Sequence, residues 1–430
     1  MKRRLAGPLL LVLGSVAVTV ALLEVALRLA GVSYGSFYMR DRHTGAALRP
    51  GARGRWPMEG NLFIRISSEG LRDREHGTAK PPGTLRIAVL GDSYVEALQV
   101  RPEENFLAVM EGEIGACLAP AGMKAEAINF GVSGYGTAQD LLMLRHRGWN
   151  YSPDVVVLAI TTANDVRNNS RALEDDPDRP YFVLRGNALV LDNGFLASRK
   201  YRPAWLAFYR VAFWLVDRSR IVQVANQAKN VYVSRRDAAR QQAAAKEAAA
   251  SPRPPSPAPP AGGSPAAATA LPPGTELGLD DLVYREPADP RWVEAWRVTE
   301  RLIEAMDDEV RGRGAAFLVV TLSNGVQVHP DPALRRAYAK RIGVPDLFYP
   351  ERRIRALCDR KGIPVLSLAP PFQEYAETHK AYLHGFGANL GAGHWNRDGH
   401  GLAGRLIAQA ICRGLPGCGA GAGAGADPPR

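Results

Sequence analysis

The sequence predicts an α/β fold in which one parallel sheet carries helices on both faces. Two observations lead there. Five short β-rich apolar runs alternate along the chain with segments of helical periodicity. The clearest run, Asp154-Val-Val-Val-Leu-Ala-Ile160, is apolar at successive positions and not at every second one, as in a strand covered on both sides. In chain order the expected strands are Arg86 to Leu90, Ala125 to Phe130, Asp154 to Ile160, Ala315 to Thr321 and Ile363 to Leu368. Helical patterns near 103–117, 137–148, 291–312 and 347–361 separate them, and a last helix is expected from about Arg397 to Cys412. Sheets of this kind place their sites at the C-terminal ends of the strands.

Composition narrows the class. The 430 residues would allow two or three domains at ~150 residues each. Gly 43 and Pro 32 are concentrated in segments that cannot pack, which lowers that count. A hydrophobic share of 46% excludes a fully disordered chain, a collagen-like chain and a multi-span membrane protein. Four cysteines exclude a disulfide-dense scaffold. The net charge of +11 is scattered, and no nucleic-acid recognition motif accompanies it. An anionic membrane surface or acidic glycan is therefore the expected anionic partner, not nucleic acid.

The first residues set the compartment. Met1-Lys2-Arg3-Arg4 precedes an uncharged stretch from Leu5 to Leu23, close to the ~20 residues that cross a bilayer. A basic cluster on that side predicts a cytoplasmic N-terminus and an exported remainder. The expectation is a single-pass anchor in the inner membrane with the main domain on the periplasmic side; the competing reading is a cleaved signal peptide. Glu24 and Arg28 are four apart and would share a helix face. In an oxidising compartment a local Cys412–Cys418 disulfide is plausible, while Cys117 and Cys358 read as buried small hydrophobes. No Cys/His spacing resembles a zinc site, and neither metal nor cofactor is expected.

The organisation expected is an anchor over 1–31, an irregular juxtamembrane segment over 32–80, an α/β domain over 81–200 and 276–414, and a low-complexity tail over 415–430. Residues 201–275 interrupt the domain. Their first part, Tyr201 to Val233, carries Trp205, Phe208, Tyr209, Phe213 and Trp214, and reads as a helical insertion packing as a cap over the sheet or near the membrane surface. Ala238 to Ala250 suits a helix, and the Pro-rich part after Ser251 reads as a spacer.

Four short blocks carry candidate chemistry. Gly91-Asp92-Ser93-Tyr94 follows the first strand, and its Ser is either an exposed nucleophile or a helix cap. Asn129-Phe-Gly-Val-Ser-Gly134 follows the second, where glycine lets a backbone N–H approach a ligand. Asn164-Asp165 follows the third, and Asn offers a side-chain N–H to a developing oxyanion, or caps a helix. Gly393-His394-Trp395-Asn396 precedes the last helix and holds a candidate base, or a surface histidine. Each block is weak alone. Three turns after successive strands, with a terminal His, would meet at one sheet edge.

Taken in order, these blocks resemble the four of the SGNH/GDSL hydrolases, over about 85–100, 125–165 and 315–412. The resemblance implies a flavodoxin-like three-layer α/β/α sandwich. It implies Ser93 as nucleophile, His394 as general base, and an oxyanion hole from the Ser93 N–H, the Gly134 N–H and the Asn164 amide. The activity implied is hydrolysis of an ester on an acylated small molecule, lipid or glycan through a Ser-His acyl-enzyme. Transfer of the acyl group to an exported polysaccharide, and a non-catalytic binding protein, are the alternatives. Two departures stand out. Gly391 occupies the position where the family often has the Asp that orients the His, so another carboxylate, a backbone carbonyl or a Ser–His dyad must serve. Thr162 replaces the Gly usual before Asn164. Asp398 is near but unassigned, and His400 reads as structural inside the last helix. Gly31-Val-Ser33-Tyr-Gly35 fits a nucleophile-elbow spacing but follows no strand, and is rejected.

Overall fold

The structure, a computed structural model, describes residues 6–174, 176–250 and 281–414. The Pro-rich spacer, the tail and Cys418, with its expected disulfide, lie outside the described residues. The chain opens with α1 (Ala6–Leu29). Its Leu10–Leu29 part has a mean hydropathy of 2.4 and none of it is buried, so it is long and apolar enough to cross a membrane. Glu24 and Arg28 do pair along it, at 2.7 Å.

Where an irregular segment was expected over 32–80, two short antiparallel pairs form. β1 (Tyr38–Asp41) pairs with β2 (Gly45–Leu48), and β3 (Arg53–Arg55) with β4 (Phe63–Arg65). Strands of three or four residues with Arg and Gly in them are too short to show a period-two pattern. Burial of Phe37, Leu48, Ile64, Ile66 and Leu71 in the main core holds them.

The five expected strands form one sheet, all parallel: β5 (Thr84–Leu90), β6 (Lys124–Asn129), β7 (Val155–Thr161), and, after an antiparallel pair β8 (Tyr181–Arg185) and β9 (Ala188–Asp192), β10 (Ala316–Leu322) and β11 (Val365–Ser367). The order is β11-β10-β7-β5-β6. The chain passes from β5 to the edge strand β6 and then back across β5 to β7. That reversal opens a crevice at the C-terminal ends of β5 and β7. Leu90 lies beside Leu158, so the turns that follow the two strands leave the sheet side by side.

Alternation decides which residues face which layer. Ala88, Leu90, Val156, Leu158, Ile160 and Val319 share one core, while Ile87, Val89, Val157, Ala159, Val320 and Leu322 share the other. The helices are α2 (Ser93–Glu96), α3 (Phe106–Leu118), α4 (Thr137–His146), α5 (Asp165–Asn168), α6 (Arg171–Glu174), α7 (Pro203–Arg218), α8 (Arg220–Ala250), α9 (Pro290–Gly312), α10 (Pro332–Ile342), α11 (Tyr349–Lys361), α12 (Ala369–His379) and α13 (Arg397–Gly414). Leu141 of α4, Trp296 and Leu302 of α9 and Ile354 of α11 cover the first face. Met110 of α3, Phe372 of α12 and Ile407 of α13 cover the second. The result is a three-layer α/β/α sandwich. Helix α9 starts sharply because Pro290 opens it and the Asp289 carboxylate accepts from Arg291 N. Helices α7 and α8 form the insertion.

His400 sits inside α13, buried, its ring stacked on Phe106 at 6.0 Å between centroids. Burial, reinforced by the nearby His394 and His384, pushes it down to about 3, and burial pushes His384 down to about 4. Both are neutral in the fold, whereas an unfolded His protonates near ~6.5. Below that pH the unfolded chain binds more protons on these two positions, so the stability they contribute is present above about pH 6.5 and is lost as pH drops toward about 4. The buried Glu96 and Glu351, lifted to about 7, act in the opposite direction over the same window, so the histidine contribution is read as a difference between variants. The gap in thermal midpoint between wild type and His400→Gln should narrow as pH falls from about 7 to about 4; a gap that stays constant would remove His400 from the account.

Candidate active site

Strand β5 ends at Gly91, where a Cβ would stand 2.5 Å from Val95 Cγ2 and 2.8 Å from the Ala159 carbonyl oxygen. Only glycine lets the chain turn that close to β7. Asp92 caps α2, its Oδ1 accepting from Tyr94 N at 3.0 Å. The capping role is thus taken by Asp92, and Ser93 opens the helix with its hydroxyl turned elsewhere. That hydroxyl lies 2.8 Å from His394 Nε2. On its other side the imidazole Nδ1 lies 2.5 Å from Glu59 Oε2. A carboxylate only accepts, so Nδ1 carries the proton and Nε2 is left to accept from the serine.

Gly134 and Asn164 lie on the turns that follow β6 and β7. The Asn164 Nδ2 donates to Asp92 Oδ2 at 3.2 Å, which fixes the plane of the amide and leaves its second N–H for a ligand. Asp92 also accepts from Thr161 Oγ1 at 3.0 Å, and its burial raises its affinity for a proton. Gly134 has φ of +79°, with nothing within 4 Å of the place a Cβ would take. The preceding Ser133 is held by Glu96, which accepts from its N–H at 3.1 Å and from its hydroxyl, while Tyr38 OH donates to the same carboxylate at 3.0 Å. Burial lifts Glu96 to about 7. Gly134 and Asn164 line a cavity of about 550 Å³ whose far walls include Tyr38 and Arg40 of β1 and Tyr209 and Phe213 of α7.

The loop that carries His394 is positioned by a chain of buried polar groups. Trp395 Nε1 donates to Ser323 Oγ at 2.9 Å, and Ser323 Oγ is 3.1 Å from His384 Nε2. His384 Nδ1 donates to the Gly393 carbonyl at 2.8 Å, as does Tyr94 OH at 3.1 Å. A neutral His384 suits every link, in line with its lowered proton affinity.

Glu59 is the residue that sequence reasoning missed. It lies in the loop between β3 and β4, 335 positions from His394. Two glycines explain why the acid comes from there. Gly391 has φ of +88°, and a Cβ on it would lie 2.8 Å from the His329 ring, so an Asp at the usual position is doubly excluded. At Gly393 a Cβ would fall on the Glu59 carboxylate itself. The pair of glycines flanking the loop was the only trace in the sequence. Thr162 turns away from the crevice, its hydroxyl accepting from Asn324 Nδ2 at 3.2 Å. Asp398 is exposed in the first turn of α13. Ser33 Oγ accepts from Arg220 at 3.2 Å. Among the described residues no group of three His, Cys, Asp or Glu is placed to hold a metal ion.

No family model matches the chain, and no curated protein matches it. Among solved structures it is similar to the acetyl xylan esterase AlAXEase, at 13% identity and TM-score 0.36, over 76% of this chain and 99% of that one. It is similar to a G-D-S-L family protein from Desulfitobacterium hafniense DCB-2, at 9% identity and TM-score 0.32, over 76% and 99%. It is also similar to the acetylxylan esterase Axe2 from Geobacillus stearothermophilus, at 12% identity and TM-score 0.34, over 76% and 93%.

Glu59→Gln tests the Glu59 contact while keeping the size of the side chain. Loss of the carboxylate should slow labelling of Ser93 by a fluorophosphonate by about 10²-fold or more, with circular dichroism unchanged. Equal labelling rates would show that Glu59 does not act on His394.

Proposed function

We propose that this chain is a serine ester hydrolase of the SGNH/GDSL type, tethered by α1 and acting outside the cytoplasm. The observation that carries the reading is the unbroken contact from Ser93 through His394 to Glu59, with the Asn164 amide held against Asp92, the residue before Ser93. In this reading His394 Nε2 takes the Ser93 proton as Oγ attacks an ester carbonyl. The Ser93 N–H, the Gly134 N–H and the Asn164 amide donate to the oxyanion of the tetrahedral intermediate. The departing alcohol recovers the proton from His394, leaving an acyl-Ser93. Water then loses a proton to His394 as it attacks the acyl carbon; the bond to Ser93 Oγ breaks, Oγ recovers that proton from His394, and the acid is freed. Glu59 holds the imidazole in the required tautomer and offsets the charge that forms on it. Polar and aromatic walls from Arg40, Arg167, Tyr38 and Tyr209 suit the acylated carbohydrate as substrate.

Purified full-length protein should hydrolyse a short-chain p-nitrophenyl ester and take up a serine-directed phosphonate. Ser93→Ala should lose both. Asn164→Ala should keep labelling detectable but lower kcat by about 10²–10³-fold. A wild type that is never labelled, or a Ser93→Ala variant labelled equally, would sink the nucleophile assignment.

A further inference from the structure

Helix α7 has two apolar faces, and among the described residues only one has a partner. The inner face meets the body of the protein: the Arg40 guanidinium stands over the Tyr209 ring at 5.6 Å and the Arg49 guanidinium over Phe213 at 4.9 Å, while Val216 is buried. The opposite face carries Phe208, Val211, Trp214 and Leu215, exposed by 58%, 58%, 53% and 42%. At ~100° per residue these lie on one side, with Ala204 and Ala207 between them. A helix side that faced only water would carry charges there.

Its surroundings say what covers it. Residues 199–220 hold six basic side chains and a single acidic one, Asp217. Arg199 stands over Trp205 at 5.5 Å and Arg218 over Trp214 at 4.5 Å. Tryptophans fringed by arginines suit the boundary between lipid tails and headgroups. The C-terminal end of α7 is also fastened to the end of the membrane-length helix. Arg28 of α1 donates to the Arg218 carbonyl. Glu24 accepts from Ser219 Oγ at 3.0 Å, Arg220 N at 2.9 Å and Ile221 N at 3.2 Å, capping α8 where it leaves α7. Glu24 and Arg28 lie in the last turns of α1, so the α7–α8 junction stands where the apolar span ends.

We infer that α7 rests on the outer surface of the membrane that α1 spans, with its Phe208–Leu215 face among anionic phospholipid headgroups. This rests on the reading of α1 as a membrane anchor. The same helix supplies Tyr209 and Phe213 to the cavity that Gly134 and Asn164 border, so that cavity opens beside the bilayer and takes substrate presented at its surface.

The test uses full-length protein reconstituted in phosphatidylcholine–phosphatidylglycerol vesicles containing headgroup spin-labelled lipid. Of the seven tryptophans only Trp205 and Trp214 are exposed, so quenching reports on them. Wild-type emission should be quenched, the quenching should be lost in the W205F/W214F double variant, and it should weaken when phosphatidylglycerol is omitted. Quenching that the double variant retains in full, or that is absent from the wild type, overturns the placement of α7. A carbonate wash separates the two readings. Protein that stays with the vesicles but shows no Trp205/Trp214 quenching leaves the anchor standing without the interfacial helix. Protein released by the wash removes the anchor, and this inference with it.

Discussion

The contact between Glu59 and His394, at 2.5 Å, ties the N-terminal hairpins to the chemistry of the sheet edge. An imidazole can serve a serine only if its far nitrogen keeps its proton, and an accepting carboxylate is the direct way to keep it there. Here that carboxylate belongs to neither sheet nor flanking helix. The loop that bears it is placed by β3 and β4, whose Ile64 is buried in the same core as Val156 and Leu158 of the central strand. The hairpins are therefore part of the same domain as the sheet in the physical sense. Without their burial the imidazole loses its orienting group. The glycines at 391 and 393 follow from the same constraint, since one leaves no room for an acid in the loop and the other makes room for the acid that arrives from outside.

The remaining groups of the site are held by buried polar side chains whose proton affinities are shifted by that burial. Asp92 orients the Asn164 amide and receives Tyr94 N; Glu96 secures Ser133 next to Gly134; His384 supports the Gly393 carbonyl beside the base. Burial raises the two acids, Glu96 to about 7, and lowers His384 to about 4. Such groups are costly to bury unless they are paired, and here the pairing places the backbone of three separate turns. Donors fixed in advance do not have to reorganise when charge develops on a reacting oxygen, which is where electrostatic stabilisation gains most.

The anchor and the insertion are joined by a similar device. Glu24, the one acid of α1, caps α8 and sits against Ser219, so the membrane-length helix and the helix that walls the crevice share an end. The position of α1 relative to the cavity is thereby set by a helix junction and not by a loose tether.

Much of this architecture was legible in the residues. The β-branched run at 155–161 and its neighbours announced a doubly covered parallel sheet, because side-chain periodicity is a local property of the strand. The meeting of Ser93, Gly134, Asn164 and His394 at one edge followed from strand order and direction, since parallel strands send all their following turns to the same side. The length and apolarity of α1 were equally plain. What remained hidden depended on contacts between distant positions. Glu59 is one acid in a short loop, 335 residues from its partner, and no local pattern marks it. Strands of three or four residues gain their conformation from the core they enter and not from their own sequence. The two faces of α7 were visible as aromatic content, but which face meets the protein and which is left exposed was decided only when Arg40, Arg49 and Glu24 closed around it. Local chemistry determined the elements and the edge where they converge; long-range packing determined which acid completes the site and which surface stays uncovered.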